Sequence, residues 1–140
     1  TALSVALGYV VKIPTATGIL TFLDAGIFFT AFYFGRREGA IVGGLGGFLI
    51  DLISGYPHWM IFSLIFHGSQ GYFAGFKGRW QWLGLVLASL VMAAGYAFAT
   101  AWMKGWGQAL ADVPHNLVQN FVGMLVGFLL CQSITKIRKQ

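Results

Sequence analysis

Charge is scarce in this chain: nine basic and four acidic side chains serve 140 residues. A soluble domain of this length keeps charged residues on the exposed face of every helix, so the shortage excludes that class. Residues 18–34, 40–50, 82–103 and 117–134 together hold a single charged side chain, Asp24. Cysteine is also nearly missing; Cys131 stands alone, which rules out an internal disulfide and a thiolate metal cluster. No P-loop, paired-cysteine motif or nucleophile elbow is present, and no soluble stretch is left over to hold an ATPase. No enzymatic activity is therefore expected of the chain itself. Alternation of polar and apolar residues is lacking too, which excludes the pattern of a membrane β-barrel. Helices remain, because a backbone in hydrocarbon has to satisfy its own hydrogen bonds.

What is present fits that exclusion. Six apolar segments can be drawn, at residues 1–13, 18–34, 38–53, 59–76, 82–103 and 114–137. They predict an all-α membrane protein, a compact six-transmembrane-helix bundle in which residues 1–140 form one domain. The first segment is short and starts on an apolar phase, so its beginning is expected to lie upstream of residue 1. With no basic leader and no small-residue cleavage site, it does not read as a signal peptide. Pro14, Pro57 and Pro114 all fall at proposed helix ends, where a missing N–H does least harm. Arg36, Arg37, Lys77, Arg79, Lys136, Arg138 and Lys139 fall on one side of this bundle, and only Lys12 and Lys104 on the other. That bias predicts cytoplasmic N- and C-termini. It also accounts for the net charge of +5 without a nucleic-acid partner, since the basic clusters are short and dispersed.

Small residues recur at helical spacing. Gly35, Gly39, Gly43 and Gly47 repeat every four residues, as do Gly71 with Gly75 and Gly123 with Gly127. Residues four apart share a helix face, so these ladders predict close helix packing. Ala2 and Ala6 make a similar pair on the first helix, either for internal packing or as a flat surface for a separate membrane subunit.

Polar groups at membrane depth are the best pointers to function, because ionisable residues there face a cavity or pair with one another. Asp24 lies on the second helix and Asp51 near the outer end of the third. His58 and Trp59 open the fourth, which also carries His67 and Gln70. Tyr96 and Thr100 share a face of the fifth, and His115, Asn116, Gln119 and Asn120 crowd the outer end of the sixth. Most map to the outer half of the bundle, where a pocket loaded from outside the cell would sit. His67 needs a hydrogen-bond partner, with Asp51 or Gln70 in reach, or else contacts a ligand. Asn116 and Asn120 are one turn apart and each offers a donor and an acceptor to a flat heterocycle. Gln70, His58 and His115 add polar contacts, while Trp59 and Tyr96 offer aromatic faces. Asp24 and Asp51 either fix helix ends or loops or contact a ligand directly. No histidine pair has i,i+4 spacing, so no metal site is expected. No inverted repeat is visible, against the usual build of secondary transporters.

The run Phe28 to Phe76, with Gly35 and its basic turn, the Gly39–Gly47 ladder, Asp51-Leu-Ile-Ser-Gly-Tyr-Pro57 and Gly68-Ser-Gln-Gly71 leading to Gly75, resembles the substrate-specificity (S) subunit of energy-coupling-factor (ECF) vitamin transporters. Within that group it is similar to the riboflavin-type branch that includes hydroxymethylpyrimidine and pyridoxine carriers. The resemblance implies a six-helix bundle in a prokaryotic cell membrane that binds a vitamin near its outer face. It implies that the loop between the first two helices, here residues 12–21, closes the site. It also implies that Ala2 and Ala6 dock onto a membrane coupling subunit (EcfT), and that two ATP-binding subunits (EcfA and EcfA′) hydrolyse ATP. Where that family often carries Lys this chain has His67, and a neutral imidazole bonds a pyridine or pyrimidine without a fixed charge. The expected ligand is pyridoxine or hydroxymethylpyrimidine, with riboflavin or another B vitamin behind, bound by His67, Asn116, Asn120 and Gln70; no cofactor is expected. A self-contained solute transporter and a non-transporting scaffold stand as rivals.

Overall fold

The computed structural model describes residues 1–14 and 19–139. Helix α1 (Ala2–Val10) leads into an antiparallel ribbon of β1 (Lys12–Pro14) and β2 (Ile19–Thr21), in which Lys12 pairs with Thr21, Ile13 with Leu20 and Pro14 with Ile19. Five helices follow: α2 (Leu23–Tyr33), α3 (Arg36–Ser54), α4 (Met60–Ala74), α5 (Gln81–Lys104) and α6 (Trp106–Arg138). Single 3-10 turns at Pro57–Trp59 and Gly78–Trp80 precede α4 and α5. Residues 15–18, the middle of the loop expected to close the site, lie outside the described residues.

Three boundaries differ from the sequence expectation, each for a local reason. The first segment stops being helical at Val10 because the chain enters the ribbon, so Pro14 ends a strand instead of a helix. The second loses its opening residues to β2 and begins at Leu23. The sixth begins at Trp106, not at residue 114, and Pro114 lies inside it. Gly105, at φ 94, turns the chain between α5 and α6 in one residue, which leaves the following segment free to coil at once. Pro114 then costs the i−4 carbonyl its partner, a loss that helices in bundles tolerate.

Backbone hydrogen bonds fix the joint between α3 and α4. Gly55, at φ 84, adopts the left-handed conformation after the last turn of α3. The Tyr56 amide donates to the Asp51 carbonyl at 2.8 Å and the Gly55 amide to that of Leu52 at 3.4 Å. This is a Schellman cap, and it holds the Asp51 backbone directly opposite the incoming Pro57–Trp59 turn.

Beyond this joint, α3 and α4 lie backbone to backbone. A Cβ on Gly39 would stand 2.5 Å from the Gly71 carbonyl oxygen, one on Gly43 would strike the His67 carbonyl, and one on Gly47 would stand 2.7 Å from that of Ser63. On the other side of the bundle, Gly123 abuts Asp24 and Gly127 abuts Phe28, which seats α6 on α2; Gly75 lies against the backbone of Arg36. Close approach of this kind gains dispersion contact and weak Cα–H···O bonds in a setting where lipid offers no hydrophobic drive.

Polarity is inverted relative to a soluble protein. Phe98, Trp102 and Phe121 are exposed, whereas Asp24, Gln70, Thr100 and Asn120 are buried. The apolar interior is modest: Leu23, Ile27, Val42 and Ile50 form one cluster with Val5, and Phe28, Ala31, Ala74 and Ala88 another. The stretches Gly78–Lys104 and Trp106–Arg138 are each long and apolar enough to cross a membrane. Helix order sorts most of the basic residues to one end, where Lys77 donates to the Ala31 and Phe32 carbonyls that close α2 and Arg138 donates to the Tyr33 hydroxyl. At the opposite end Lys12 Nζ lies 3.4 Å from Ser54 Oγ, tying the ribbon to the end of α3.

Candidate functional site

Asp24 is the single charge in a long apolar window, and the fold buries it completely in the first turn of α2. Removing a carboxylate from water is costly unless donors surround it, and two neighbouring helices supply them. Gln70 Nε2 on α4 donates to Asp24 Oδ2 at 3.0 Å, and Gln119 Nε2 on α6 donates to Oδ1 at 3.3 Å. His67 Nδ1 on α4 lies 3.4 Å from the same Oδ1.

The network continues in one direction. Gln70 Nε2 also donates to Asn120 Oδ1 at 2.9 Å, Asn120 Nδ2 donates to Ser89 Oγ on α5 at 2.8 Å, and Ser89 donates to the Leu85 carbonyl at 2.9 Å. Gln119 Oε1 accepts from the Thr21 amide at 2.8 Å, which joins the end of β2 to Asp24 through one side chain. Counting donors fixes the tautomer of His67. Its Nδ1 faces Gln70 Oε1 at 3.1 Å and Asp24 Oδ1, and an amide or carboxylate oxygen can only accept. Nδ1 therefore carries a hydrogen, and Nε2 is an acceptor in the neutral ring and a donor in the charged one.

Beside this cluster stands an aromatic wall. Trp59 is buried with its ring 5.5 Å from that of Tyr96, Tyr96 lies 5.9 Å from the imidazole of His67, and the Tyr96 and Ser63 hydroxyls are 2.6 Å apart. Asp51, on α3, is buried at the same end, with Ser63 hydrogen-bonded to its carboxyl. No group of three metal-ligating side chains occurs among the described residues.

The structure thus brings together His67, Gln70, Asn120, Trp59 and Tyr96. It sets Asn116 and His115 apart, and leaves His58 at the outer edge of the aromatic wall. Asn116 donates to the Asp112 carbonyl of its own helix at 3.3 Å, and His115 is exposed with Nδ1 3.2 Å from the Ala111 carbonyl. His58 is exposed against the rings of Tyr56 and Trp59. Ala2 and Ala6 lie on the exposed face of α1, opposite Ser4 and Gly8, which are buried. Gln119 and Asp24 also belong to the network. Ser63 and Ser89 escape the sequence reading altogether. Their signal is spacing: Ser89 lies seven residues before Tyr96, and Ser63 four before His67, each on one helix face.

Comparison with known proteins agrees with this architecture. The family model described as "ECF-type riboflavin transporter, S component" matches residues 1–136. The chain is 45% identical over 139 residues to "Thiamine precursor transporter HmpT" of Lactococcus lactis subsp. cremoris (strain MG1363), covering 97% of this chain and 83% of that protein. It is 36% identical over 123 residues to "Uncharacterized protein in gap 3'region" of Pyrococcus woesei, covering 84% and 82%. A bundle of apolar-surfaced helices around a buried polar network, matched nearly end to end by this family, makes the chain a member of the ECF-type S-component family, a group of membrane transport components.

Proposed function

We propose that this chain is the substrate-binding subunit of an ECF importer and that its cargo is the thiamine precursor hydroxymethylpyrimidine. The observation that carries the proposal is the convergence of His67, Gln70, Asn120 and Asp24 from three helices beside the Trp59–Tyr96 wall. An aromatic face supplies contact area for a flat heterocycle, and a few fixed polar groups select its ring nitrogen and hydroxyl. The 45% identity to a protein named as a thiamine precursor transporter favours a pyrimidine over the larger flavin named by the family.

In this proposal all six helices lie in a prokaryotic cell membrane with both termini cytoplasmic. The ribbon end of the bundle faces outward and the Lys77–Arg138 end inward, as the positive-inside rule directs. Ala2 and Ala6 meet the coupling subunit EcfT, and ATP is hydrolysed by EcfA and EcfA′. The chain itself performs no covalent chemistry; it holds its ligand by hydrogen bonds and ring contact, and it needs no cofactor.

The test is calorimetry on purified protein against a panel of hydroxymethylpyrimidine, pyridoxine, thiamine and riboflavin, with mass spectrometry of any small molecule retained through purification. Tight one-to-one binding of hydroxymethylpyrimidine is expected. A protein that binds none of the panel, or that moves solute alone in ATP-free liposomes, sinks the proposal.

A further inference from the structure

Two aspartates are buried in this bundle beside the candidate site, and they are completed differently. Both oxygens of Asp24 face donors, Oδ1 from Gln119 and His67 and Oδ2 from Gln70. Asp51 is 6% exposed, and its Oδ2 has no hydrogen-bond partner among the described residues. A buried carboxylate oxygen without a donor is expensive, and such groups call for an explanation.

Backbone structure does not supply one. The Schellman cap after α3 uses the carbonyl of Asp51, not its side chain, and an apolar residue would leave that cap intact. The side chain instead lies in the wall of the candidate site. Ser63 hydrogen-bonds the Asp51 carboxyl and is also paired with the Tyr96 hydroxyl, and Tyr96 in turn contacts Trp59 and His67, which leaves Oδ2 as the open oxygen. Among the described residues, Asp51 is thus the carboxylate in that wall with an acceptor left open.

We propose that Asp51 is a specificity-determining residue whose Oδ2 accepts an N–H from an exocyclic amino group on a flat heteroaromatic ligand. This inference rests on the pyrimidine cargo proposed for the chain and assigns one more group of that ring. The ring nitrogen and hydroxyl go to the His67–Gln70–Asn120 cluster, and the amine goes to Asp51. An N–H donor completes this oxygen, whereas a bare C–H at the same place leaves it unpaired. Discrimination by a buried polar group of this kind exceeds what a difference in ring area gives.

The experiment compares 4-amino-5-hydroxymethyl-2-methylpyrimidine with the same molecule lacking its amino group, using calorimetry on wild type and Asp51→Asn. Wild type is expected to favour the amino compound by about tenfold or more. Asp51→Asn is expected to lose most of that preference, weakening the amino compound while leaving the other within about twofold. Equal weakening of both ligands, or no change in either, overturns the inference while the pyrimidine cargo stands. The wild-type preference needs no variant, so its absence overturns the inference even if Asp51→Asn does not fold. Wild type binding neither compound overturns the pyrimidine cargo and this inference with it.

Discussion

Helix α4 has two buried faces, and they are built on opposite principles. Toward α3 it presents bare backbone, with Gly71 and the carbonyls of Ser63 and His67 lying against Gly39, Gly43 and Gly47. Toward α2, α5 and α6 it presents the side chains of His67, Gln70 and Ser63, each engaged by a polar group from another helix. The first face holds through proximity and has no room for an added atom at Gly39, Gly43, Gly47 or Gly71. The second holds through direction: its polar groups are paired across helices, and changing one group leaves its partners stranded. A membrane bundle gains little from burying apolar surface against itself, so these two devices carry what a hydrophobic core carries elsewhere.

Substitutions can separate them. Gly43→Leu puts a side chain into the His67 carbonyl and is expected to have the largest effect. Overpacking costs about 3 kcal/mol or more where only backbone stands in the way, so the variant should elute as aggregate or melt far below wild type in detergent. Asp24→Ala should follow, at about 3 kcal/mol, because it strands the donors of Gln70, Gln119 and His67 in a buried site. Thermal unfolding and ligand calorimetry should both register it; a loss of binding without loss of stability would mean the network is not structural. Asn120→Ala removes the acceptor for Gln70 and the donor to Ser89, and about 2 kcal/mol of stability is expected to go with it, together with weaker pyrimidine binding. His115→Ala should do least. The ring is exposed and, among the described residues, bonded within α6, so a shift beyond about 0.5 kcal/mol, or a measurable loss of binding, would show that the ligand reaches farther toward the α6 N-terminus than the network does.

Composition and spacing reveal the helical class and the basic end of the bundle, because both are properties of long stretches. The glycine ladders are equally legible as period-four patterns. The polar site is legible only in part. His67, Gln70 and Asn120 stand out because polar side chains in apolar windows need partners, but who partners whom depends on the rotation of α2 and α6 about their axes. Nothing in the sequence near Asp24 says that its donors come from residues 70 and 119. Asn116 looks like the natural companion of Asn120, one turn away; its amide donates to its own helix instead of joining the network. The start of α6 is misplaced by sequence because Pro114 is a strong stop signal in isolation, while the signal that wins, the single-residue reversal at Gly105, lies upstream of it.

The glycine contacts also divide the molecule. Gly39, Gly43 and Gly47 hold α3 against α4, and Gly123 with Gly127 holds α6 against α2. His67 and Gln70 belong to the first pair of helices, Asp24, Gln119 and Asn120 to the second. Between the pairs the Gln70 amide donates to Asp24 and Asn120 and the His67 imidazole lies beside Asp24, so parting them means exchanging hydrogen bonds as well as separating apolar surface.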